Sequence, residues 1–399
     1  MRRSTEWTIR ATYITSALFG VTSLCYVETT GEVYTKPLVT IYSALANIGM
    51  LVLVPHFLRF DYYSPSLPIQ INSLMFVLKA ASSIVTVIIN WTKREVFVKT
   101  LNDLASIRLK FIRRWPLSEK IKQIYDKTLR RKLLLGFMSM VGIMLGSIEY
   151  VQLELKLKSF YMIVAAVIVG IIVNMVMLNY FLSITNLNVI VWAINEELEK
   201  IMQATHQLWN LRIIGQIEPG ALITQCCKLS ADLDELAVTQ HYLHLLGNRI
   251  NRMYDIQTAC VLIMVYLNNM LALYACYPTK QKTEILNEYS NWSMTLLPFM
   301  MMLYYIDLAL FIKGMNNFEE SFMATAKLLK ERQIFYPALD MRLEESFKNF
   351  SLQLAKFPVE MKLVGLFKFD RSMAFSIFGS TISNAIVLIQ YDYKNNSDE

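Results

Sequence analysis

The sequence predicts an all-α integral membrane protein with seven transmembrane helices, a cytosolic N-terminus, an extracellular C-terminus and a cytosolic helical anchor region. Three observations support this fold class. Apolar residues make up 54% of the chain and charged residues only 18%, a balance unlike that of soluble domains. Seven apolar segments are long enough to cross a bilayer core, which takes about 20 helical residues. Basic residues are concentrated between alternate apolar segments, as membrane topology requires.

An eighth apolar run precedes the seven predicted spans. This run, Ile9–Tyr26, is shorter and is interrupted by threonines and serines. Arginines near its start are compatible with a signal peptide, but no clean small-residue cleavage site follows. An interfacial helix lying along the membrane is therefore the favoured interpretation. The predicted spans are residues 38–58, 70–91, 133–152, 159–185, 253–276, 292–313 and 372–391.

The distribution of Lys and Arg predicts how the chain is oriented. Thirteen basic residues lie in 93–132 between the second and third spans, and nine lie in 314–371 before the last span. The loops predicted on the opposite side hold only six in total, counting Lys394 after the last span. The basic side is cytosolic by the positive-inside rule. An odd number of spans then places the C-terminus outside, together with two glycosylation sequons, at Asn291 and Asn395.

Two long segments between spans have helical patterning rather than linker composition. In the first, Leu222, Cys226, Leu229, Leu233, Leu236 and Leu243 keep amphipathic spacing, with Gln240 as a polar interruption. Phe318, Phe322, Ala326 and Leu329 do the same in the second. Such helices must pack together or against another subunit. The predicted regions are the N-terminus with its interfacial helix (1–37), spans one to four (38–185), cytosolic extensions (186–252), spans five and six (253–313), cytosolic anchor helices (314–371), and the last helix with an extracellular tail (372–399).

The last span, Ser372–Tyr391, has an ordered distribution of polar residues. At about 100° per residue, its small and polar side chains fall on one face, and Phe378, Ile382, Ala385 and Ile389 are assigned to the opposite face. A polar face in an apolar span is buried against protein or water rather than lipid. Both a conduction path and a close helix–helix interface fit this pattern. The polar stripe consists of Ser376, Gly379, Ser380, Ser383, Val387 and Gln390.

The C-terminal end of the chain resembles the terminal signature of insect gustatory receptors. Gly365-Leu366-Phe367-Lys368-Phe369-Asp370 leads into the segment Ser383–Tyr391. The family signature is Thr-Tyr, five mostly apolar residues, then Gln-Phe. Here Ser383-Asn384 replaces Thr-Tyr, Gln390 matches, and Tyr391 replaces Phe. The stretch from Tyr26 through Gly31 to Tyr34, ahead of Tyr42 and Ser43, is also similar to the start of the family.

The resemblance implies a tetrameric, ligand-gated, nonselective cation channel in the plasma membrane of a gustatory neuron. Each subunit would contribute its last helix to one central pore, and the cytosolic helices would hold the tetramer together. Gln390 would line the outer mouth and Val387 would form a hydrophobic constriction one turn deeper. Ser376, Ser380 and Ser383 complete the predicted pore lining. The expected partners are a small-molecule tastant, membrane lipid, and identical or other gustatory receptor subunits, with no nucleic acid.

Ligand-binding candidates follow from the resemblance, which implies a pocket in the outer half of each subunit, between spans two and six. Aromatic rings and amides there suit a small organic ligand, although each residue alone is also compatible with packing or interface anchoring. Lys79, near mid-membrane, is assigned to an ion pair or a snorkelling position in preference to ligand contact. The candidates are Asn72, Phe76, Lys79, Glu149, Tyr150, Tyr161, Tyr266, Asn269, Trp292 and Tyr304.

Other chemistry is not supported by the sequence. His241 and His244 share a helical face but lack the glutamate that accompanies such pairs in di-iron helices, and no nucleotide-binding or nucleophile motif occurs. We therefore predict no enzyme, metal site or cofactor. Asp307, in the inner half of span six, is predicted to pair with a basic group near the inner surface rather than to line a water-filled vestibule. The function classes left open are a tastant-gated channel, with bitter compounds favoured, a seven-helix metabotropic chemoreceptor, and a small-molecule transporter.

Overall fold

The structure is a computed structural model that describes residues 3–27, 30–57, 67–153, 158–275, 291–335 and 339–397. Within these ranges it contains ten helices and two short hairpins. The helices are α1 (Arg3–Leu18), α2 (Pro37–Phe57), α3 (Leu67–Thr92), α4 (Arg94–Arg114), α5 (Glu119–Leu153), α6 (Lys158–Ile214), α7 (Pro219–Ala275), α8 (Asn291–Phe335), α9 (Met341–Lys356) and α10 (Arg371–Ser397). The strands are β1 (Cys25–Tyr26), β2 (Val33–Tyr34), β3 (Lys362–Leu363) and β4 (Phe367–Lys368).

This architecture confirms the all-α prediction. Every predicted span falls within a helix, apart from residues 58 and 276, which lie outside the described ranges. By length and composition, the described residues include two helical segments able to cross a membrane, Val167–Ile214 and Ser372–Tyr391. The number of crossings, the side of each terminus and the region boundaries stay predictions.

The two longest helices are much longer than a membrane is thick. Helices α6 and α7 contain 57 residues each, which corresponds to about 85 Å of helix, whereas a bilayer core is about 30 Å thick. They are joined by a tight turn in which Gly215 has a φ of 71°, in the left-handed region that glycine adopts without strain. The segment 186–252 therefore continues spans four and five as one helical hairpin.

The predicted amphipathic faces form the core of this extension. Leu233, Leu236 and Leu243 are fully buried in α7, as is Phe318 in α8. Gln240, the polar interruption, is also buried, and its Nε2 donates to Thr325 Oγ1 at 3.2 Å. Predicted core residue Ala326 is exposed, because the buried position in that turn is taken by Thr325.

The N-terminal run is not one continuous helix. Helix α1 ends at Leu18, and Gly20 follows with a φ of 67°. A Cβ at Gly20 would lie 2.8 Å from Asn47 Oδ1, so the backbone and the contact both require glycine there. The chain then forms the antiparallel β1–β2 hairpin, which Asn102 holds by hydrogen bonds to both the N–H and the carbonyl of Val33.

Helix α1 is packed against the rest of the chain as well. Its residues Ile9, Thr12 and Ser16 are buried, and Asn179 Nδ2 of α6 donates to Ser16 Oγ at 3.1 Å. A helix held by buried side chains of its own chain is part of the helical body. Its proposed position along the membrane interface stays a prediction.

Close packing of α7 on α8 depends on Gly247, and this generates a stability prediction. A Cβ at Gly247 would lie 2.7 Å from Phe318 Cε1, so Gly247→Ala should lower unfolding stability by about 1–3 kcal/mol through overpacking. Gly220→Ala in the same helix, where a Cβ meets nothing within 4 Å, is the control and should not lower it. Thermal unfolding of the purified protein in detergent measures both. Equal melting temperatures for the two variants would contradict the packing argument.

Candidate functional site: the last helix and its attachments

Helix α10 is apolar enough to cross a membrane, yet its own chain covers little of it. Only 11% of the span Ser372–Tyr391 is buried, compared with 78% for the apolar part of α6. An apolar helix left uncovered by its own chain has to be covered by lipid or by other subunits. The last helix therefore depends on surroundings outside its own chain to cover its apolar surface.

One narrow face of α10 packs on the rest of the chain. Thr381 and Ala385 are buried, and Met373, Ile377 and Leu388 are half-buried, at intervals of three or four residues typical of a helix face. The assignment of Ala385 to the face opposite the polar stripe was therefore incomplete. Ala385 is buried against the chain, whereas Ile382 is exposed, and Phe378 is exposed except where its ring meets Tyr305. Two different apolar faces flank the polar residues, and the sequence pattern had merged them.

All six residues of the polar stripe are exposed in the single chain: Ser376, Gly379, Ser380, Ser383, Val387 and Gln390. Among the described residues, Ser380 is the member of the stripe whose side chain is hydrogen-bonded to another helix. Its hydroxyl lies 3.2 Å from the hydroxyl of Tyr266 on α7. Since the stripe is directed away from the chain, a packing interface within the subunit does not account for it.

A polar cluster joins α10 to α7 in the outer half of the predicted spans. Asn384 Nδ2 donates to the Tyr266 hydroxyl and, at 3.3 Å, to Ser380 Oγ. Hydrogen-bonding groups at membrane depth are costly to leave unpaired, so this cluster fixes the rotation of α10 against α7. Asn384 occupies the second position of the terminal signature, where the family has tyrosine. The substituted residue thus attaches the last helix to its own subunit.

Helix α8 contacts α10 at a similar depth. The rings of Tyr305 and Phe378 meet edge to face with centroids 5.2 Å apart, a favourable aromatic geometry. Asn269 of α7 is fully buried and lies beside the hydroxyl of Tyr305 on α8. A buried amide of this kind requires a polar partner, and Tyr305 is placed to supply one.

The predicted ligand-binding candidates are brought together only in part. Tyr266 contacts α10, Asn269 is buried in α7, and Tyr304 is half-buried on α8. Lys79 is half-buried on α3 beside buried Ser83, whose hydroxyl donates to the Lys79 carbonyl at 3.0 Å. The other candidates lie outside the side chains that the structure describes: Asn72, Phe76, Glu149, Tyr150, Tyr161 and Trp292, as do the sequon residues Asn291 and Asn395.

The predicted pairing of Asp307 is present. Lys132 Nζ of α5 lies 2.6 Å from Asp307 Oδ2 of α8, and the lysine side chain is only 3% exposed. The same ammonium lies over the rings of Phe181 and Phe311. This buried pair joins the inner ends of the third and sixth predicted spans. Asp307 is therefore neutralised by a basic group, as the sequence predicted.

The hairpin β3–β4 docks the start of α10 onto α7, and sequence analysis did not predict it. Asn251 Nδ2 donates to the carbonyl of Lys362 at 2.8 Å, and Asp255 accepts from the N–H of Val364. The hairpin turns at Val364 and Gly365, both with positive φ. Strands of two residues have no periodicity, so the only available signal was the turn-forming glycine in the Gly-Leu-Phe segment.

The hairpin also attaches to α8 and caps the last helix. Lys368 Nζ lies 2.5 Å from Oε1 of Glu319, a carboxylate only 5% exposed, and this hydrogen bond raises the pKa of Lys368. Phe369 is fully buried and meets Phe311 edge to face. Asp370 Oδ1 accepts from the N–H of Met373 at 2.8 Å, the geometry of a helix N-cap. The segment that leads into the signature therefore attaches the start of α10 to α7 and α8.

Comparison with known proteins finds relatives over the whole chain. A family model described as 7tm Chemosensory receptor matches residues 9–395. Gustatory receptor 36b of Drosophila melanogaster is 24% identical, over 97% of this chain and 98% of the relative. Gustatory receptor 36c of the same organism is 25% identical, over 96% and 97%. The gustatory receptor for bitter taste 22e, also from D. melanogaster, is 22% identical, over 98% and 96%.

Solved structures share the fold. The insect olfactory receptor OR5 from Machilis hrabei superposes with a TM-score of 0.68 at 11% identity, covering 97% of this chain and 98% of that chain. The same receptor in complex with eugenol gives a TM-score of 0.64 at 12% identity. The arrangement of long helices described above is therefore that of an insect chemosensory receptor.

The Lys132–Asp307 pair generates a prediction. Asp307→Ala leaves a buried ammonium without its carboxylate and should lower unfolding stability by about 3–5 kcal/mol. The double variant Lys132→Met/Asp307→Leu removes both charges and should recover most of that loss, as measured by thermal unfolding in detergent. Asp103→Ala breaks the exposed Arg249–Asp103 pair and serves as control, with a cost below about 1 kcal/mol. If the double variant is less stable than Asp307→Ala, the loss of stability in Asp307→Ala does not come from the unpaired ammonium, and the argument is contradicted.

Proposed function

The chain belongs to the 7tm chemosensory receptor family, and we propose that it is an insect gustatory receptor that opens a nonselective cation pore when a small organic tastant binds. One observation carries the proposal. The last helix is apolar enough to span a membrane, is largely uncovered by its own chain, and directs its polar stripe away from that chain. Four copies around an axis would cover the helix and give the stripe an aqueous surface.

Within such a tetramer the residues of the polar stripe would have different roles at different depths of the pore. Four Val387 side chains, each 56% exposed in the single chain, would form an apolar constriction that excludes ions when narrow. Gln390, one turn further along, would offer amide dipoles at the outer mouth without trapping a cation by fixed charge. Ser376, Ser380 and Ser383 would line the deeper part. Ser380 would sit at the edge of the lining, because its hydroxyl also contacts Tyr266.

The ligand is proposed to bind in the outer half of the subunit. Asn269, Tyr304 and Tyr266 are the described residues best suited to that role, since they lie on the two helices that hold α10. The buried amide of Asn269 can both donate and accept hydrogen bonds, and the rings of Tyr266 and Tyr304 can supply apolar surface to a ligand. Bitter compounds are the favoured class, supported by the bitter-taste relative. The eugenol complex of the olfactory receptor supports a ligand of small organic type.

The proposal places the receptor in the plasma membrane of a gustatory neuron, with its N-terminus inside and its C-terminus outside. A metabotropic seven-helix receptor would have the opposite orientation, so an epitope tag after Glu399 separates the two classes. Labelling of intact cells supports the channel, and labelling only after permeabilisation excludes this topology. Glycosidase-sensitive mobility that is lost in Asn395→Gln would support the same side.

The pore assignment generates a prediction for whole-cell recording from cells expressing the receptor. Val387→Ala should widen the constriction and raise the current several-fold without any tastant, whereas Gln390→Glu should increase permeability to divalent relative to monovalent cations. Ile382→Ala is the matched control, because Ile382 is exposed on the apolar face of the same helix. It should leave basal current and permeability ratios unchanged. Equal effects at Val387 and Ile382 would contradict the assignment of the stripe to the pore.

A further inference from the structure

A cavity of about 310 Å³ lies among α1, α5, α6 and α8. It adjoins Lys132 and Asp307, at the inner ends of the third and sixth predicted spans. It contains none of the ligand-binding candidates identified from the sequence, which were assigned to the outer half of the subunit. Its volume corresponds to about ten water molecules in the liquid and is at the lower end of small-molecule pockets.

The wall of the cavity combines apolar side chains with two unused polar atoms. Asp307 Oδ2 is engaged by Lys132, but the buried Oδ1 of the same carboxylate accepts no hydrogen bond from any described residue. Asn174 Nδ2, also buried and also at the wall, donates none to the described part of the chain. Leu133, Met140, Met175 and Leu178 supply apolar surface. The site thus offers one unsatisfied acceptor and one unsatisfied donor, with Thr12 and Thr15 adding hydroxyl groups to the wall.

The chemistry of these two atoms selects the ligand class. A hydroxyl group both donates and accepts, so it could satisfy Asp307 Oδ1 and Asn174 Nδ2 together. An anionic ligand would be repelled by the carboxylate, and a cationic one would compete with Lys132 for it. We propose that this cavity is a second binding site, for a small, neutral, largely apolar molecule that carries one hydroxyl group.

Access to the site is from the surface of the helix bundle. Phe137 lines the cavity and is also 63% exposed, so the cavity reaches the outer surface of α5. That surface is apolar, with Leu134 equally exposed. An amphiphilic molecule that partitions into the membrane can therefore reach the ion pair without crossing the pore or the outer pocket.

Gly136 makes the site testable without touching its polar groups. It lines the cavity, and a Cβ there would meet nothing within 4 Å. Gly136→Leu should therefore fill the cavity while leaving the fold intact. Gly49 on α2 also has open space beyond it and does not line the cavity. Gly49→Leu is the matched control.

The first experiment maps where an alcohol binds. The full-length receptor in lipid nanodiscs is photolabelled with octanol carrying a diazirine, and the labelled peptides are identified by mass spectrometry. Labelling should concentrate in residues 132–140 and 174–178, above that of the lipid-facing residues of α2, and should fall at least several-fold in Gly136→Leu but not in Gly49→Leu. Uniform labelling, or labelling that survives Gly136→Leu, would show that the cavity holds water only and would overturn the proposal.

The second experiment tests the hydroxyl. Para-pentylphenol should compete with the photolabel about tenfold better than para-pentylanisole, its methyl ether, because the ether cannot donate to Asp307. Equal competition would overturn the proposed ligand class. Neither measurement uses ionic current, so a receptor that binds the phenol but conducts nothing would count against the proposed channel alone.

Discussion

The last helix has more apolar surface than its own chain covers, and the contacts that hold this helix in place follow from that constraint. Its buried face is reduced to a line of residues around Thr381 and Ala385. In a bilayer, the hydrophobic effect does not hold such a helix against its neighbours, because lipid tails are as apolar as the neighbouring helices. Its position must therefore be set by hydrogen bonds, aromatic contacts and chain connection, and these are the interactions found there.

Buried polar contacts also hold together the helical extension to which those attachments connect. Trp192 Nε1 donates to Ser321 Oγ at 2.8 Å, and Asn188 Nδ2 donates to the Gly314 carbonyl at 3.2 Å. Arg332 is almost fully buried, pairs with Glu344 and lies 4.1 Å above the Phe347 ring. Buried polar contacts of this kind require defined partners, so they fix the register between α6, α8 and α9. The hairpin that starts the last helix is attached to this fixed part.

Much of the fold could be predicted from the sequence because membrane crossing and amphipathic packing impose strong periodic signals. Asp307 was assigned a basic partner on energetic grounds alone, but Lys132 is 175 positions away and nothing local identifies it. Helical periodicity also separated polar from apolar positions on α10. The same periodicity could not distinguish Ala385, which is buried against the chain, from Ile382, which is exposed. That difference depends on which neighbours approach, and is therefore tertiary information.

The two helices that hold α10 each do so at two levels. Helix α7 contacts the hairpin through Asn251 and Asp255 and contacts α10 itself through Tyr266. These two contact points are about 20 Å apart along the helix. Helix α8 repeats the arrangement with Glu319 at the hairpin and Tyr305 at Phe378.

A helix attached to two others at two heights cannot rotate or tilt independently of them. On the proposed function, a ligand that touches Asn269 or Tyr304 acts on these same two helices. A shift of either helix relative to the extension formed by α6, α8 and α9 would turn the last helix as a unit. It would change which residues of the polar stripe face the axis of the proposed tetramer. The attachments that compensate for the helix's small buried face are thereby the route by which ligand binding would reach the pore.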